Sequence, residues 1–333
     1  MSWLTQEAGI INHYHPALVN WYQPVRVVHP MLIHMWQATN PDFFRDLVKQ
    51  IQAGRVAKEL RLLPGEVPIR RHDGTFWTPR LHNQTREIEL HESFLSYLWC
   101  VTYAILVIYS ETIDYPRIND EVGYEKYHVS QESIKQAREV FDYARLLVAT
   151  YIPWDKTNLP NPETYLSEMR TYVERTSLFY TEAVKFILCH EFTHLKLHVE
   201  KMNAETSPSS FLDFEYEADN NVIDMMVRGK LQGPSALAFA RNMAIDIGIV
   251  YGILAMFFFK ATTTGTKHPN SEDRLTNALQ RSQVDDEHYA WGFACVGLQL
   301  WDEQFGHNFQ WGPDGISKKE QYFRIVEQIK ANN

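Results

Sequence analysis

The chain has 333 residues, of which 45% are hydrophobic and 22% are charged, and this composition excludes wholesale disorder. Its net charge is −9 and its basic residues form only short pairs, so we expect no nucleic-acid partner. The three cysteines are isolated and form no C-x-x-C motif, which argues against a disulfide framework. No signal peptide is recognisable in the N-terminal sequence either, so we predict a cytoplasmic protein.

Residues 1–80 are predicted to form an N-terminal region of helical and irregular segments. Prolines divide the first part of this region into short helical pieces. One piece begins at Asn40 and Pro41, a capping residue followed by a proline of the first turn, and ends near Gly54.

A small β element is predicted in the stretch 63–90, which is rich in proline and glycine. It contains two short strand-like runs, residues 74–77 and 86–90. The second run is interpreted either as a core strand, which we favour, or as a strand to which an extended substrate adds.

The remaining chain is predicted to be helical at 92–111, 130–150, from about 162, 178–201, 212–229, 234–260, 271–281 and 318–331. Its apolar runs 94–109 and 247–259 fall short of the roughly 20 residues that a membrane-spanning helix needs. We therefore predict two buried core helices and no membrane span. The fold class is mostly α, with a small β element upstream of a helical core.

The predicted helix 178–201 carries an H-E-x-x-H motif formed by His190, Glu191 and His194. Four residues of α-helix turn about 400° and rise about 6 Å, so both imidazoles project from one face and can bind one Zn²⁺. Glu191 lies about 100° from that face, where it is placed to contact a water molecule rather than the metal. Cys189, next to the motif, is expected to be a packed thiol.

A catalytic zinc ion needs a third protein ligand and an open fourth position. After a turn at Pro208, the sequence FLDFEYEADNNVIDMM places Glu215 and Asp219 on one helical face. Glu217 is an alternative to Glu215, but the two side chains point about 200° apart, so only one of them can face the metal.

Two further alternatives lie near the end of the helix that carries the H-E-x-x-H motif. Glu200 stands where metzincins place a third histidine, but Leu197 replaces the glycine of their motif, so nothing ends the helix there. His198 continues the spacing of four residues, yet it lies too far along the helix for the same ion. We interpret His198 as a helix-surface residue or as a residue that supports a ligand.

The strings HEFTH and EYEAD together resemble the gluzincin metallopeptidases, whose third ligand is the Glu of an E-x-x-x-D motif on the next helix. The resemblance implies that His190, His194 and Glu215 hold one Zn²⁺ per chain and that Glu191 is the general base. It also implies that Asp219 orients a ligand histidine, which agrees with the effect of a carboxylate on the free ring nitrogen.

A third string, KHPNSEDRL, contains His268 and Arg274 and is predicted to begin a helix capped by Asn270 or Ser271. It resembles the His-Pro and Arg motif that follows the active site in HtpX-like and prenyl-protein-processing gluzincins. Arg274 therefore has either a role in the site or only a role in the helix start. Those membrane families need several spans, which points here to a soluble relative.

The soluble family that the chain resembles is that of the Lit phage-exclusion peptidases. The resemblance rests on ELHESFLSYLWCVTYAILVIYSE, CHEFTH, FEYEAD and the His-Pro and Arg helix, which cover the middle of the chain. It implies a cytoplasmic zinc protease that stays inactive until a phage signal and then cleaves elongation factor Tu.

We therefore predict a zinc endopeptidase of antiviral defence that acts on a protein or peptide substrate, elongation factor Tu or another host protein, and responds to an activating peptide or protein. The candidates for support of the site or of the transition state are His268, Arg274, Tyr216 and His198. Two alternatives stay open: a non-enzymatic zinc-containing binding or regulatory protein on a protease scaffold, and a helical interaction protein without a metal.

Three regions are predicted: the N-terminal region 1–80, a metallopeptidase core at 81–285 and a C-terminal segment at 286–333, although all three can form one compact domain. The last region contains Trp291, Trp301 and Trp311. We expect these tryptophans to anchor the segment to the core or to cover a binding surface.

Overall fold

The computed structural model of the protein describes residues 23–53, 60–63, 78–82, 86–203, 205–265, 268–313 and 315–332. The α-helices are α1 (His29–Thr39), α2 (Pro41–Gln52), α3 (Glu92–Tyr109), α4 (Tyr115–Val122), α5 (Gln131–Ala149), α6 (Arg170–Leu197), α7 (Pro208–Val227), α8 (Ala236–Leu254), α9 (Ser271–Arg281), α10 (Tyr289–Phe305) and α11 (Lys318–Asn332). The strands are β1 (Leu60–Leu63), β2 (Arg80–His82) and β3 (Glu87–His91). The prediction of a mostly α fold with a small β element is confirmed.

The strands form a sheet in the order β1-β3-β2, with β3 parallel to β1 and antiparallel to β2. Both edges of β3 are paired within the protein, so the core-strand interpretation of 86–90 is confirmed and the added substrate strand there is wrong. Strands β1 and β2, with four and three residues, were not predicted because an alternating pattern needs a longer run. The predicted strand 74–77 and the helix end at Gly54 lie outside the described residues.

Two apolar stretches lie at the centre of the helical core. Glu92–Val122, which begins with α3, and Ala236–Phe259, which begins with α8, are long and apolar enough to cross a membrane by length and composition. The protein buries 100% of the apolar window of the first and 78% of that of the second. A helix that is apolar on all sides needs cover around its whole circumference, and the protein provides it here, as predicted for core helices.

The predicted helix start near residue 162 is wrong. Asn161 forms a turn there, because its Oδ1 accepts the backbone N–H groups of Glu163 at 3.1 Å and Thr164 at 2.8 Å. A side chain that bonds the backbone in this way competes with helix formation. Helix α6 begins only at Arg170 and then continues without a break into the segment that carries the histidine motif.

Helix α10 was not among the predicted helices. Its Gly292 lowers the intrinsic helix propensity, but a Cβ at this position would lie 2.5 Å from the ring of Tyr109. The missing side chain therefore lets α10 approach α3 closely. Trp291 and Trp301 on the same helix are 1% and 2% exposed, so they anchor it in the core as predicted.

Helix α6 is held in the centre of the molecule by close packing and by a buried ion pair. A Cβ at Gly248 of α8 would lie 2.3 Å from the Cβ of Glu182, so glycine is required for the close approach of α8 to α6. Glu182 pairs with Lys185, and the Lys185 Nζ also donates to the Thr39 Oγ1 at 2.9 Å. These contacts fix the helix from which the candidate ligands project.

Buried apolar side chains from Val25 to Ile329 belong to one continuous cluster. It includes residues from each of the three predicted regions. The division of the chain at residues 80 and 285 stays a prediction.

Candidate metal centre

Helix α6 brings His190 and His194 together. Their Nε2 atoms lie 3.0 Å apart, and their side chains are 10% and 6% exposed. The spacing of four residues places both rings on one face of the helix, as the sequence indicates. The neighbouring Cys189 is fully buried and its pKa is raised by burial, so it is a packed thiol as expected.

Helix α7 adds Glu215 to this pair. Its Oε2 lies 3.3 Å from the His190 Nε2, and its Oε1 lies 3.3 Å from the His194 Nε2. Helix α7 begins at Pro208 because the Ser207 Oγ accepts the N–H of Ser210 at 3.1 Å and proline suits the first helical turn. This start is four residues earlier than predicted.

The alternative carboxylates lie away from the three donor atoms. Glu217 is 48% exposed and contacts His198 instead. Glu200 is 79% exposed and pairs with Arg86. The structure thus brings Glu215, and neither Glu217 nor Glu200, to the two imidazoles.

Asp219 and Arg274 fix the orientation of His190. The Asp219 Oδ1 lies 2.9 Å from the His190 Nδ1, and the Arg274 guanidinium donates to both carboxylate oxygens of Asp219 at 2.7 and 2.8 Å. A carboxylate that is ionised accepts only, so the His190 Nδ1 carries the proton and its Nε2 presents a lone pair. Burial opposes the charge of Asp219, but Arg274 and His190 outweigh it and lower its pKa to about 2.

His198 fixes the orientation of His194 in the same way. Its Nε2 lies 3.1 Å from the Glu217 Oε2, so this nitrogen donates and its Nδ1 accepts. The Nδ1 atoms of His198 and His194 are 2.8 Å apart, so His194 donates from Nδ1 and presents a lone pair at Nε2. His198 is fully buried and stacks on Phe214 at 4.5 Å, so it is not a helix-surface residue.

The arrangement is compatible with a bound metal ion. Two imidazole lone pairs and a carboxylate face one another at 3.0 to 3.3 Å, and without a cation between them they would repel. Ligand atoms at the corners of a tetrahedron with bonds of about 2.0–2.1 Å would stand about 3.3–3.4 Å apart. The buried Oε2 of Glu215 has no well-directed hydrogen bond within the described part of the chain, which also suits a metal ligand.

The electrostatics of the cluster favour positive charge at its centre. Burial alone would raise the pKa of Glu215, but the imidazoles of His190, His194 and His268 hold it far below its usual value. Burial would lower the pKa of His190, but Asp219 and Glu215 raise it to about 10. A proton therefore occupies the cluster readily when no metal does.

Glu191 lines a cleft of about 530 Å³ together with His190 and Glu215. Burial raises the pKa of Glu191 to about 7, since a desolvated carboxylate favours its neutral form. A carboxylate with a pKa near neutrality can accept a proton and return it at physiological pH. The cleft therefore combines a candidate metal centre with a candidate general base.

The other predicted site residues fall into two groups. The His268 Nδ1 lies 3.0 Å from the Glu215 Oε2, and this side chain lines the cleft and is 65% exposed. Arg274 also lines the cleft. Its hydrogen bonds to Asp219 connect it to the candidate metal centre, so its role is not limited to the start of a helix. Tyr216 lies on the exposed side of α7 and is not among the described residues that line the cleft.

The structure adds residues that were not predicted. Apolar walls of the cleft come from Phe94, Phe186, Ile187, Met256 and Phe259. Helical spacing gave a signal for two of them, because Phe186 and Ile187 stand one turn before the motif. The other walls come from distant helices, for which the sequence offers no spacing rule.

A model of the protein family described as peptidase U49 matches residues 88–294. The matched stretch runs from β3 into α10, spans more than half of the chain and contains all residues of the cluster. No curated protein and no solved structure matches the chain.

Proposed function

The chain belongs to the peptidase U49 family, which implies hydrolysis of peptide bonds in proteins or peptides, and we propose that it is a zinc-dependent endopeptidase with Glu191 as its general base. The observation that carries this proposal is the convergence of His190, His194 and Glu215 beside Glu191 in one cleft. Two imidazole nitrogens and one carboxylate oxygen, with a fourth position open, are the ligand set of a group of catalytic zinc enzymes.

When bound, Zn²⁺ would polarise the scissile carbonyl and make a water molecule more acidic. Glu191 takes the proton of the attacking water and passes it to the leaving amine. His268 is the donor we propose for the developing oxyanion, because it is exposed in the cleft beside Glu215. Arg274 is held by Asp219 on both carboxylate oxygens, so its part is to orient Asp219 and, through it, His190.

For the substrate we propose elongation factor Tu or another host protein, cleaved in the cytoplasm after an activating phage peptide or protein has bound. This proposal rests on the resemblance of the sequence motifs to the Lit phage-exclusion peptidases. The test is incubation of bacterial extract with the wild-type protein and with Glu191→Gln, with and without phage infection, followed by sequencing of new protein N-termini. New termini that appear equally with both proteins would contradict it.

Replacement of Asp219 by Asn tests the buried charge that holds His190 and Arg274. Asp219 is 1% exposed and Arg274 13% exposed. We expect zinc affinity to fall about 10- to 100-fold, because His190 loses its orienting carboxylate. We expect the free energy of unfolding to fall by about 3–5 kcal/mol, because Arg274 keeps a buried charge without its partner. Competition with a chelator and urea unfolding measure the two effects.

The matched control is Asp224→Asn on the same helix. Asp224 binds Arg281 of α9 with two hydrogen bonds of 2.7 and 2.6 Å, but this pair is about 40% exposed. An exposed ion pair contributes about 0–1 kcal/mol, so this variant should keep its zinc affinity and nearly all of its stability. Equal losses in both variants would show that Asp219 has no special role.

Replacement of His198 by Leu tests the second orienting contact. The variant removes the hydrogen bond to His194 while it keeps an apolar contact with Phe214. We expect zinc affinity to fall about 10- to 100-fold because the ring of His194 is no longer held. His198→Gln, whose amide oxygen can accept the same hydrogen bond, should recover part of the affinity. Unchanged zinc affinity in His198→Leu would refute the role of His198.

A further inference from the structure

Asn40 lies at the junction between α1 and α2. Its backbone N–H donates to the Trp36 carbonyl of α1 at 3.0 Å, and its own carbonyl accepts the N–H of Phe44 of α2 at 2.9 Å. The residue is 7% exposed. Both helices therefore hold its backbone, so its side chain starts from a fixed point inside the protein.

The side-chain amide of Asn40 bridges the two helices that carry the candidate metal ligands. Its Nδ2 donates to the Met225 carbonyl of α7 at 2.7 Å, and its Oδ1 accepts from the Lys185 Nζ of α6 at 3.2 Å. A carbonyl only accepts and an ammonium group only donates, so the partners fix which end of the amide faces which helix. An ionised carboxylate or an apolar side chain of the same size could not serve both partners.

The end of α7 is suited to this contact. The Met225 carbonyl lies in the last turn, where carbonyl groups lack a partner within the helix. The N–H of Gly229 donates to the Met226 carbonyl at 2.8 Å rather than to that of Met225. A Cβ at Gly229 would lie 2.8 Å from the Thr39 carbonyl oxygen and 2.9 Å from the Asn40 Nδ2. Glycine therefore lets the end of α7 approach the junction of α1 and α2 closely.

The bridge lies close to the candidate metal centre along both helices. Lys185 stands five residues before His190 on α6, and Met225 stands six residues after Asp219 on α7. These separations correspond to about 7.5 and 9 Å of helix. The bridge is therefore a second connection between α6 and α7, about two turns from the contact between His190 and Asp219.

We propose that Asn40 is a positioning residue of the metal centre, which holds α7 against α6 so that Glu215 keeps its place beside His190 and His194. This inference rests on the proposed zinc site. Asn40 is not among the described residues that line the cleft, so it acts through the relative position of the helices. Metal–ligand distances tolerate deviations of only about 0.2 Å, so a small displacement of α7 weakens the site.

Two variants of Asn40 test the bridge in the full-length protein. In Asn40→Ser the side chain is too short to reach both helices. In Asn40→Asp the carboxylate can still accept from Lys185 but cannot donate to Met225. We expect zinc affinity, measured by competition with a chelator, to fall about 3- to 30-fold in each variant. The visible absorption of bound Co²⁺ should also weaken, because water replaces a displaced Glu215 and raises the coordination number.

The matched control is Asn161→Ser. Asn161 is 1% exposed, and the hydrogen bonds of its amide stay within residues 156–164 of the described chain. This variant should lose stability but keep its zinc affinity and its Co²⁺ spectrum. If the Asn40 variants also lost only stability, the positioning role would be overturned and the zinc site would stand. A wild-type protein that binds neither metal would overturn the zinc site and this role together.

Discussion

Glu191→Gln is expected to abolish peptide cleavage while the protein stays folded and binds zinc. The amide has nearly the shape of the carboxylate but cannot accept the proton of the attacking water. Loss of general base catalysis lowers rates by about 10²- to 10⁴-fold, so kcat should fall at least into this range. Cleavage of proteins in an extract of phage-infected bacteria and elemental analysis of the purified protein measure the two parts of the prediction.

The control for this variant is Glu174→Gln, on the same helix α6. Glu174 is 51% exposed and pairs with Arg170 one turn earlier, far along the helix from the histidine motif. It should keep wild-type activity and zinc content. Full cleavage activity in Glu191→Gln would exclude Glu191 as the base. Wild-type protein that binds zinc but never yields more cleavage than Glu191→Gln would favour the non-enzymatic binding protein.

Glu215→Ala is expected to remove zinc from the protein. This carboxylate stands 3.3 Å from both imidazole nitrogens, so its loss leaves two ligands where a catalytic zinc site needs three. The metal content should fall from one zinc per chain to far below one, and cleavage should be lost. At zinc concentrations about 1,000 times the wild-type Kd, the wild type gains about 4 kcal/mol of stability from the metal, and the variant should lose this gain.

Two variants of the same helix make this result specific. Asp213→Ala, two residues earlier and exposed, should keep both the zinc and the stabilisation by zinc. Glu217→Ala should keep the zinc ion as well, because Glu217 contacts His198 rather than one of the three candidate ligands. Elemental analysis and thermal unfolding with and without zinc distinguish the variants. Loss of zinc in Glu217→Ala together with retention in Glu215→Ala would reverse the assignment of the third ligand.

Much of the candidate site follows from helical geometry along short stretches of sequence. The spacing of four residues predicts that His190 and His194 share a face, and the structure places their Nε2 atoms 3.0 Å apart. The same spacing joins Glu215 and Asp219 on α7, where both contact His190. Such pairs are predictable because the backbone of one helix fixes the distance between their side chains.

Contacts between distant segments could not be predicted in this way. Arg274 binds Asp219 across 55 residues of sequence, and the sequence left it open whether Arg274 serves the site or only a helix start. The sequence also left it open whether His198 is a helix-surface residue or supports a ligand. Its burial depends on the position of Phe214 on the next helix. These outcomes depend on how the helices pack, which no short stretch of sequence encodes.

The sequence alone therefore determined the chemical types of the candidate ligands, the helices that carry them and the apolar helices of the core. Helical periodicity is a local property, so it can be read from neighbouring residues. The tertiary structure decided which carboxylate faces the imidazoles, what orients each ring, and that β3 is enclosed by two strands. It also decided which apolar side chains line the metal cleft, since the walls of a cleft exist only after separate helices have packed against each other.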